Sequence, residues 1–182
     1  CADITAKTAS VLGKTEDVDK YAQIAKNAKT AFHKKYYDEK TKSYGDYGSN
    51  VFALHMGLPE KSQAEVLHTL RTEICEKYKK HLHTGIFGTR RLFELLANNG
   101  MNDLAYEIMN QVDFPSFGWW IVQGATTTWE KWNGKHSRNH PMFGGGRTWF
   151  YNTLAGVNID ESKPGYRHVI IKPQLIKKLE NV

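Results

Sequence analysis

The residue with the clearest chemical potential is Glu130, in the stretch GATTTWEKW, because across residues 114–159 it is the only Asp or Glu. All five tryptophans, Trp119, Trp120, Trp129, Trp132 and Trp149, lie within 31 residues of chain around it. His136, His140, Lys131, Lys135, Arg138 and Arg147 complete the neighbourhood. Indole faces pack against apolar ring faces while polar edges bond hydroxyl rims, so this composition suits a carbohydrate groove. A lone carboxylate in such a groove serves as a general acid or base, according to the balance of burial against nearby cations. Lys131, Arg138 and Arg147 favour the ionised form, and with it the base.

The same residues have plainer readings. Thr127-Thr128-Trp129-Glu130 is a capping-box pattern, in which Glu130 would only bond back to the Thr127 amide at a helix start. Tryptophan clusters build cores, and a histidine before a proline, as in His140-Pro141, makes local loop bonds. Gly144-Gly145-Gly146 ahead of a helix is a weak anion-site signal and matches neither a P-loop nor a dinucleotide fingerprint. Taken one at a time, none of these signals decides.

The elements that must position these residues are helices. Residues 16–36 place Tyr21, Ile24, Ala25, Ala28 and Phe32 on one helical face, behind the start signal Thr15-Glu16-Asp17. Residues 60–79 repeat the pattern with Ala64, Leu67, Leu70, Ile74 and Tyr78. A third helix around Leu92, Phe93, Leu95 and Leu96 stops at Asn98-Asn99-Gly100, and Met101 to Met109 resumes at once, which predicts a tight helical hairpin. Long loops at 41–50, 81–89 and 112–125 alternate with short ones, so the long loops are expected to gather on one face and build a site. The tail departs from the pattern: Tyr166 to Lys172 reads as a strand that begins a sheet completed elsewhere.

Composition sets the outer bounds. The 182 residues fit one domain that folds without disulfides or metal, with 40% hydrophobic and 12% aromatic content. No apolar run approaches the roughly 20 residues that span a bilayer. Of the two cysteines, Cys75 falls among apolar helix positions and reads as core. The eight histidines form no metal-ligand pattern, and no cofactor is implied. The net charge of +6 is spread among acids along the helices, with no nucleic-acid motif. The chain starts at Cys1 and reads as helix from its first residues, so it is expected to be a segment of a longer protein.

In order, TGIFGTRRLFELLANNGMNDLAYEIM, PSFGWWIVQGATTTWEKW, NHPMFGGGRTWFYNTLAGV and PGYRHVIIKPQ resemble the C-terminal half of the bacterial α-L-rhamnosidases of glycoside hydrolase family 78. YGDYGSNVFALHMGLP extends the similarity along nearly the whole chain. The resemblance implies an all-α fold, helical hairpins forming part of an (α/α)6 barrel over 1–160, with 161–182 opening a following β domain. It implies metal-free hydrolysis of terminal α-L-rhamnosides with inversion, Glu130 at the general base and His140 at a substrate-contacting histidine. Trp119, Trp120 and Trp132 are the expected sugar-binding rings. The family's general acid belongs to an upstream motif that nothing in 1–129 resembles, so the expected partners are a carbohydrate and the N-terminal remainder of the catalytic domain. The span from Glu130 to His140 is short for the family, and Gly144-Gly145-Gly146-Arg147 replaces larger polar residues. Two alternatives stay open: a trehalase-like or glucoamylase-like (α/α)6 glycosidase, and a non-catalytic carbohydrate-binding helical module.

Overall fold

The computed structural model describes residues 1–163 and 165–179, and they form a chain of helical hairpins closed by one β-hairpin. Helix α1 (Ala2–Val11) turns through Gly13 into α2 (Thr15–Tyr36) and packs on it. Small side chains make this approach possible, since Ala6 and Ala9 of α1 and Ala25 of α2 are the buried ones. The apolar face expected on α2 is helical as anticipated, but Ile24 on it stays 46% exposed. Hydrophobic periodicity specifies which residues share a face, not what covers that face.

The central core lies further along. Helix α3 (Tyr47–His55) is capped by Asp46, whose carboxylate accepts the Ser49 amide at 2.9 Å and is held below the usual aspartate range chiefly by that bond. Helix α4 (Gln63–Thr72) continues into a widened turn, Glu73–Lys77, so the helix expected over 60–79 is regular in its first half only. Lys79 and Lys80 then adopt left-handed backbone angles that end it. The face that packs is Val66, Leu70 and Ile74, while Ala64 is exposed and Cys75 is half-buried against the core.

Helix α5 (Ile86–Asn98) supplies the middle of the core through Leu92, Phe93 and Leu96. Gly100, at φ +69°, reverses the chain into α6 (Asn102–Met109), which packs back on α5 as the expected hairpin. Beyond the site region, a short α8 (Arg147–Trp149) runs into a widened turn, Phe150–Leu154, and seats Trp149 against Phe93 with ring centroids 6.0 Å apart.

The expected strand is present but shorter. β2 (Val169–Ile171) pairs antiparallel with β1 (Val157–Ile159), a partner within the chain that apolar patterning had not marked. The hairpin therefore joins residues on both sides of position 160. After it the tail returns to the helices: Ile176 is buried in the main core and the Lys177 amide donates to Asp103. No helix among the described residues is long and apolar enough to cross a membrane.

Phe93 has no exposed surface and touches both the helical core and Trp149. Phe93→Ala is expected to lower stability by about 3–5 kcal/mol through lost burial and the cavity left behind, read as a drop in the urea midpoint with an unchanged slope.

Candidate active site

Helix α7 (Phe117–Val122) opens the site region, capped by the buried Ser116, whose hydroxyl accepts the Trp119 amide at 2.9 Å. It points Trp120 inward, 2% exposed, to form a second core with Trp129 and Phe143. Trp132 stacks on Trp120 at a centroid distance of 4.6 Å and meets Phe143 at 4.3 Å. Two of the indole N–H groups have backbone acceptors. Trp120 Nε1 donates to the Trp132 carbonyl at 2.8 Å, and Trp132 Nε1 donates to the Thr84 carbonyl at 2.9 Å. The second bond ties the Glu130 segment to the 81–89 loop, and the stacking ties it to α7. Residues 41–50 join through Tyr47, whose ring lies 6.4 Å from His83, so the long loops do converge.

No helix follows Thr127, which removes the capping-box reading of Glu130. Instead residues 127–130 and 137–140 run side by side as two arms. The His140 amide donates to the Thr128 carbonyl at 2.8 Å, and the Thr128 hydroxyl donates to the His140 carbonyl at 2.6 Å. The Thr127 hydroxyl donates to the Arg138 carbonyl. Nearer the tip, the Glu130 amide donates to the Ser137 carbonyl at 2.8 Å, and the Ser137 amide returns a bond of 3.2 Å to Glu130 Oε2. One carboxylate oxygen of a half-buried Glu130 is thereby fixed, while Oε1 has no hydrogen-bond partner among the described residues.

The expected cations are not placed as ion-pair partners. Arg138 lies over the Trp129 ring, 4.8 Å from its centroid, and Arg147 Nε donates to the Gly144 carbonyl. Among the described residues no Lys or Arg makes an ion pair with Glu130. His140 is half-buried, and its Nδ1 accepts the Met142 amide at 3.4 Å. In the neutral ring that leaves the proton on Nε2, a donor suited to a hydroxyl.

The expected rings divide into two groups. Trp119 and Trp132 are half-buried, Trp119 standing edge-on to Trp129 at 6.0 Å. Trp120 has neither exposed face nor free N–H, so its part is to support Trp132 and Trp129 from beneath. The triple glycine packs instead of forming an anion site. Gly145 lies where a β-carbon would come within 2.6 Å of the Arg90 side chain on α5, so the absence of a side chain lets the Pro141–Gly146 turn approach that helix. No group of three or more His, Cys, Asp or Glu among the described residues is placed to hold a metal.

Sequence reasoning missed Thr128, Ser137 and Gly134 as structural parts of the site. The Asn133-Gly134 pair between TTTWE and SRNH was the available signal, a turn dipeptide joining two arms.

A profile of the bacterial alpha-L-rhamnosidase 6 hairpin glycosidase domain matches residues 1–154. The chain belongs to this family. An alpha-L-rhamnosidase of Alteromonas sp. (strain LOR) is 34% identical over 97% of the chain, which spans 20% of that relative. Among solved structures, the alpha-L-rhamnosidase from Dictyoglumus thermophilum superposes with a TM-score of 0.85 and 37% identity, covering 95% of this chain and 20% of that one. The Streptomyces avermitilis alpha-L-rhamnosidase, solved in complex with L-rhamnose, gives 0.81 and 31%, covering 96% of this chain and 18% of that one. The chain thus spans about one fifth of the length of the relatives it matches. A mostly helical chain in a six-hairpin glycosidase family agrees with the expected fold class.

In this member of the family the loop that receives the Trp132 N–H is braced by a hydrogen bond between His81 and Asp113. His81 Nε2 lies 2.7 Å from Asp113 Oδ1, and Nδ1 faces the Tyr78 and Lys79 carbonyls at 3.1 and 3.0 Å. Burial alone would lower the His81 pKa, but the Asp113 bond, its charge and the two carbonyls together raise it. A raised histidine contributes stability that is complete below its unfolded value, about 6.5, and lost as pH climbs through the raised folded value. The melting temperature is expected to fall across that window, and His81→Asn should flatten the fall; an identical pH profile in the variant would exclude His81 as its source.

Proposed function

We propose that this chain forms part of an inverting glycoside hydrolase that removes terminal α-L-rhamnose from glycosides or polysaccharides, with Glu130 as general base. The reading is carried by one observation: in a chain of the rhamnosidase family, the single carboxylate of residues 114–159 sits half-buried beside the aromatic cluster, held by one oxygen with the other unpaired. An inverting mechanism needs a water between the base and the anomeric carbon, with the two carboxyl groups about 6.5–9.5 Å apart. Glu130 Oε1 would orient that water and take its proton as the oxygen attacks. A protonated carboxyl outside residues 1–182 would deliver a proton to the departing glycosidic oxygen. His140, through Nε2, would hold a sugar hydroxyl, with Trp119 and Trp132 against the ring and Trp120 behind them.

In the parent enzyme Glu130→Gln is expected to lower kcat by about 10²–10⁴-fold, the range for a lost general base, with a small change in KM. The first sugar released from an α-rhamnoside should be the β-anomer, followed by NMR before mutarotation. Near-normal turnover by Glu130→Gln ends the base assignment, and an α-anomer product ends the inverting one. Residues 1–182 alone should not hydrolyse aryl rhamnosides, because the acid is supplied from elsewhere; turnover by them would place both carboxyls within this chain.

A further inference from the structure

Arg138 connects separate parts of the loop that carries Glu130, and the proposed reaction leaves it without a part. Its guanidinium carbon lies 4.8 Å from the centre of the Trp129 ring. Its Nε donates to the Gly134 carbonyl at 3.2 Å, and its own carbonyl accepts the Thr127 hydroxyl. Gly134 rests on the same indole: at φ +71° it lies where a β-carbon would stand 2.7 Å from Trp129 Cζ3. Trp129 itself is 4% exposed and packed among Trp119 and Trp120. The Arg138 side chain therefore joins Trp129 of the first arm to the turn at Gly134, while the backbone of the same residue holds the Thr127 hydroxyl. Glu130 follows Trp129, and Ser137, which holds Oε2, precedes Arg138.

We propose that Arg138 is a positioning residue for Glu130, clasping Trp129 and Gly134 so that the Ser137 amide and the Glu130 carboxylate keep their mutual geometry. The inference rests on the reading of Glu130 as base. The guanidinium acts through the loop, touching neither carboxylate nor sugar. A planar cation over an indole face is attracted by the ring's quadrupole, and the Nε bond fixes its azimuth as the stack fixes its height. No regular helix or strand holds residues 127–140, so these few bonds set the position of the carboxylate. A shift of about 1 Å in a catalytic group costs on the order of 10²-fold in rate.

The test uses the parent enzyme with Glu130→Gln, Arg138→Ala, Arg138→Lys, Gly134→Ala and the double variant R138A/G134A, assayed on an aryl α-L-rhamnoside. Arg138→Ala should lower kcat by about ten- to a hundred-fold with KM within about twofold. Arg138→Lys, which retains a cation over the ring without the planar fork, should recover part of the loss. Gly134→Ala, which displaces the same indole, should lower kcat likewise, and the double variant should be little worse than the poorer single one because both disturb one contact. If Arg138→Ala fails to fold, Arg138→Lys and Gly134→Ala carry the same comparison. Turnover within twofold of wild type in the Arg138 variants, with Glu130→Gln inactive, overturns the clasp and leaves the base standing. A raised KM at unchanged kcat overturns it too, since Arg138 would then be contacting substrate. Multiplicative losses in the double variant also overturn it. Near-normal Glu130→Gln brings down the base reading, and this inference with it.

Discussion

The bond from Trp132 Nε1 to the Thr84 carbonyl is the constraint on which the site depends. It joins a loop without regular structure to the start of α5, the helix at the centre of the core. A buried indole N–H left without an acceptor would be costly, so the ring has one low-energy seat. Trp120 reinforces that seat from below, stacking on Trp132 and donating its own N–H to the Trp132 carbonyl. Ring packing and backbone bonding thus select the same arrangement, and the carboxylate two residues before Trp132 inherits its position.

From that anchor outward, order is maintained by short-range reciprocity. Thr128 and His140 exchange two bonds, and Glu130 and Ser137 exchange two more. Such a two-armed loop pairs its arms without a sheet, and its first arm carries the polar side chain of Glu130. His140 belongs to the same arrangement: the backbone that pairs with Thr128 also sets the ring so that Nδ1 caps the Pro141–Gly146 turn. A single fold of chain therefore orients both expected sugar-facing polar groups.

The helices show a complementary property. Ala6, Ala9 and Ala25 bring α1 and α2 together, yet Ile4, Val11, Leu12 and Ile24 on the pair are exposed. The strands at the other end expose Val157, Ile159 and Ile171 as well. The chain spans about one fifth of the relatives it matches, and its inner core around Phe93, Leu96 and Ile108 is fully buried within it.

Much of the fold was legible in the residues. The interval of three and four between apolar side chains marked α2, α5 and α6, and Asn98-Asn99-Gly100 marked the hairpin, because helix period and left-handed turns are local properties. Family likeness along the motifs around Glu130 agreed with the profile match and with the relatives. The widened turn after Thr72 was not legible, because a regular helix and a widened turn share nearly the same apolar spacing, nor was β1, whose three residues are too few to set a pattern. The local pattern at Thr127-Glu130 pointed equally to a helix cap, and only tertiary structure decided against it. The deciding bonds came from Ser137 and Thr84, residues 7 and 46 positions away from Glu130. Sequence by itself determined that one carboxylate sits among five tryptophans; tertiary packing decided which of those rings face outward, which lie beneath, and which backbone amide holds the acid.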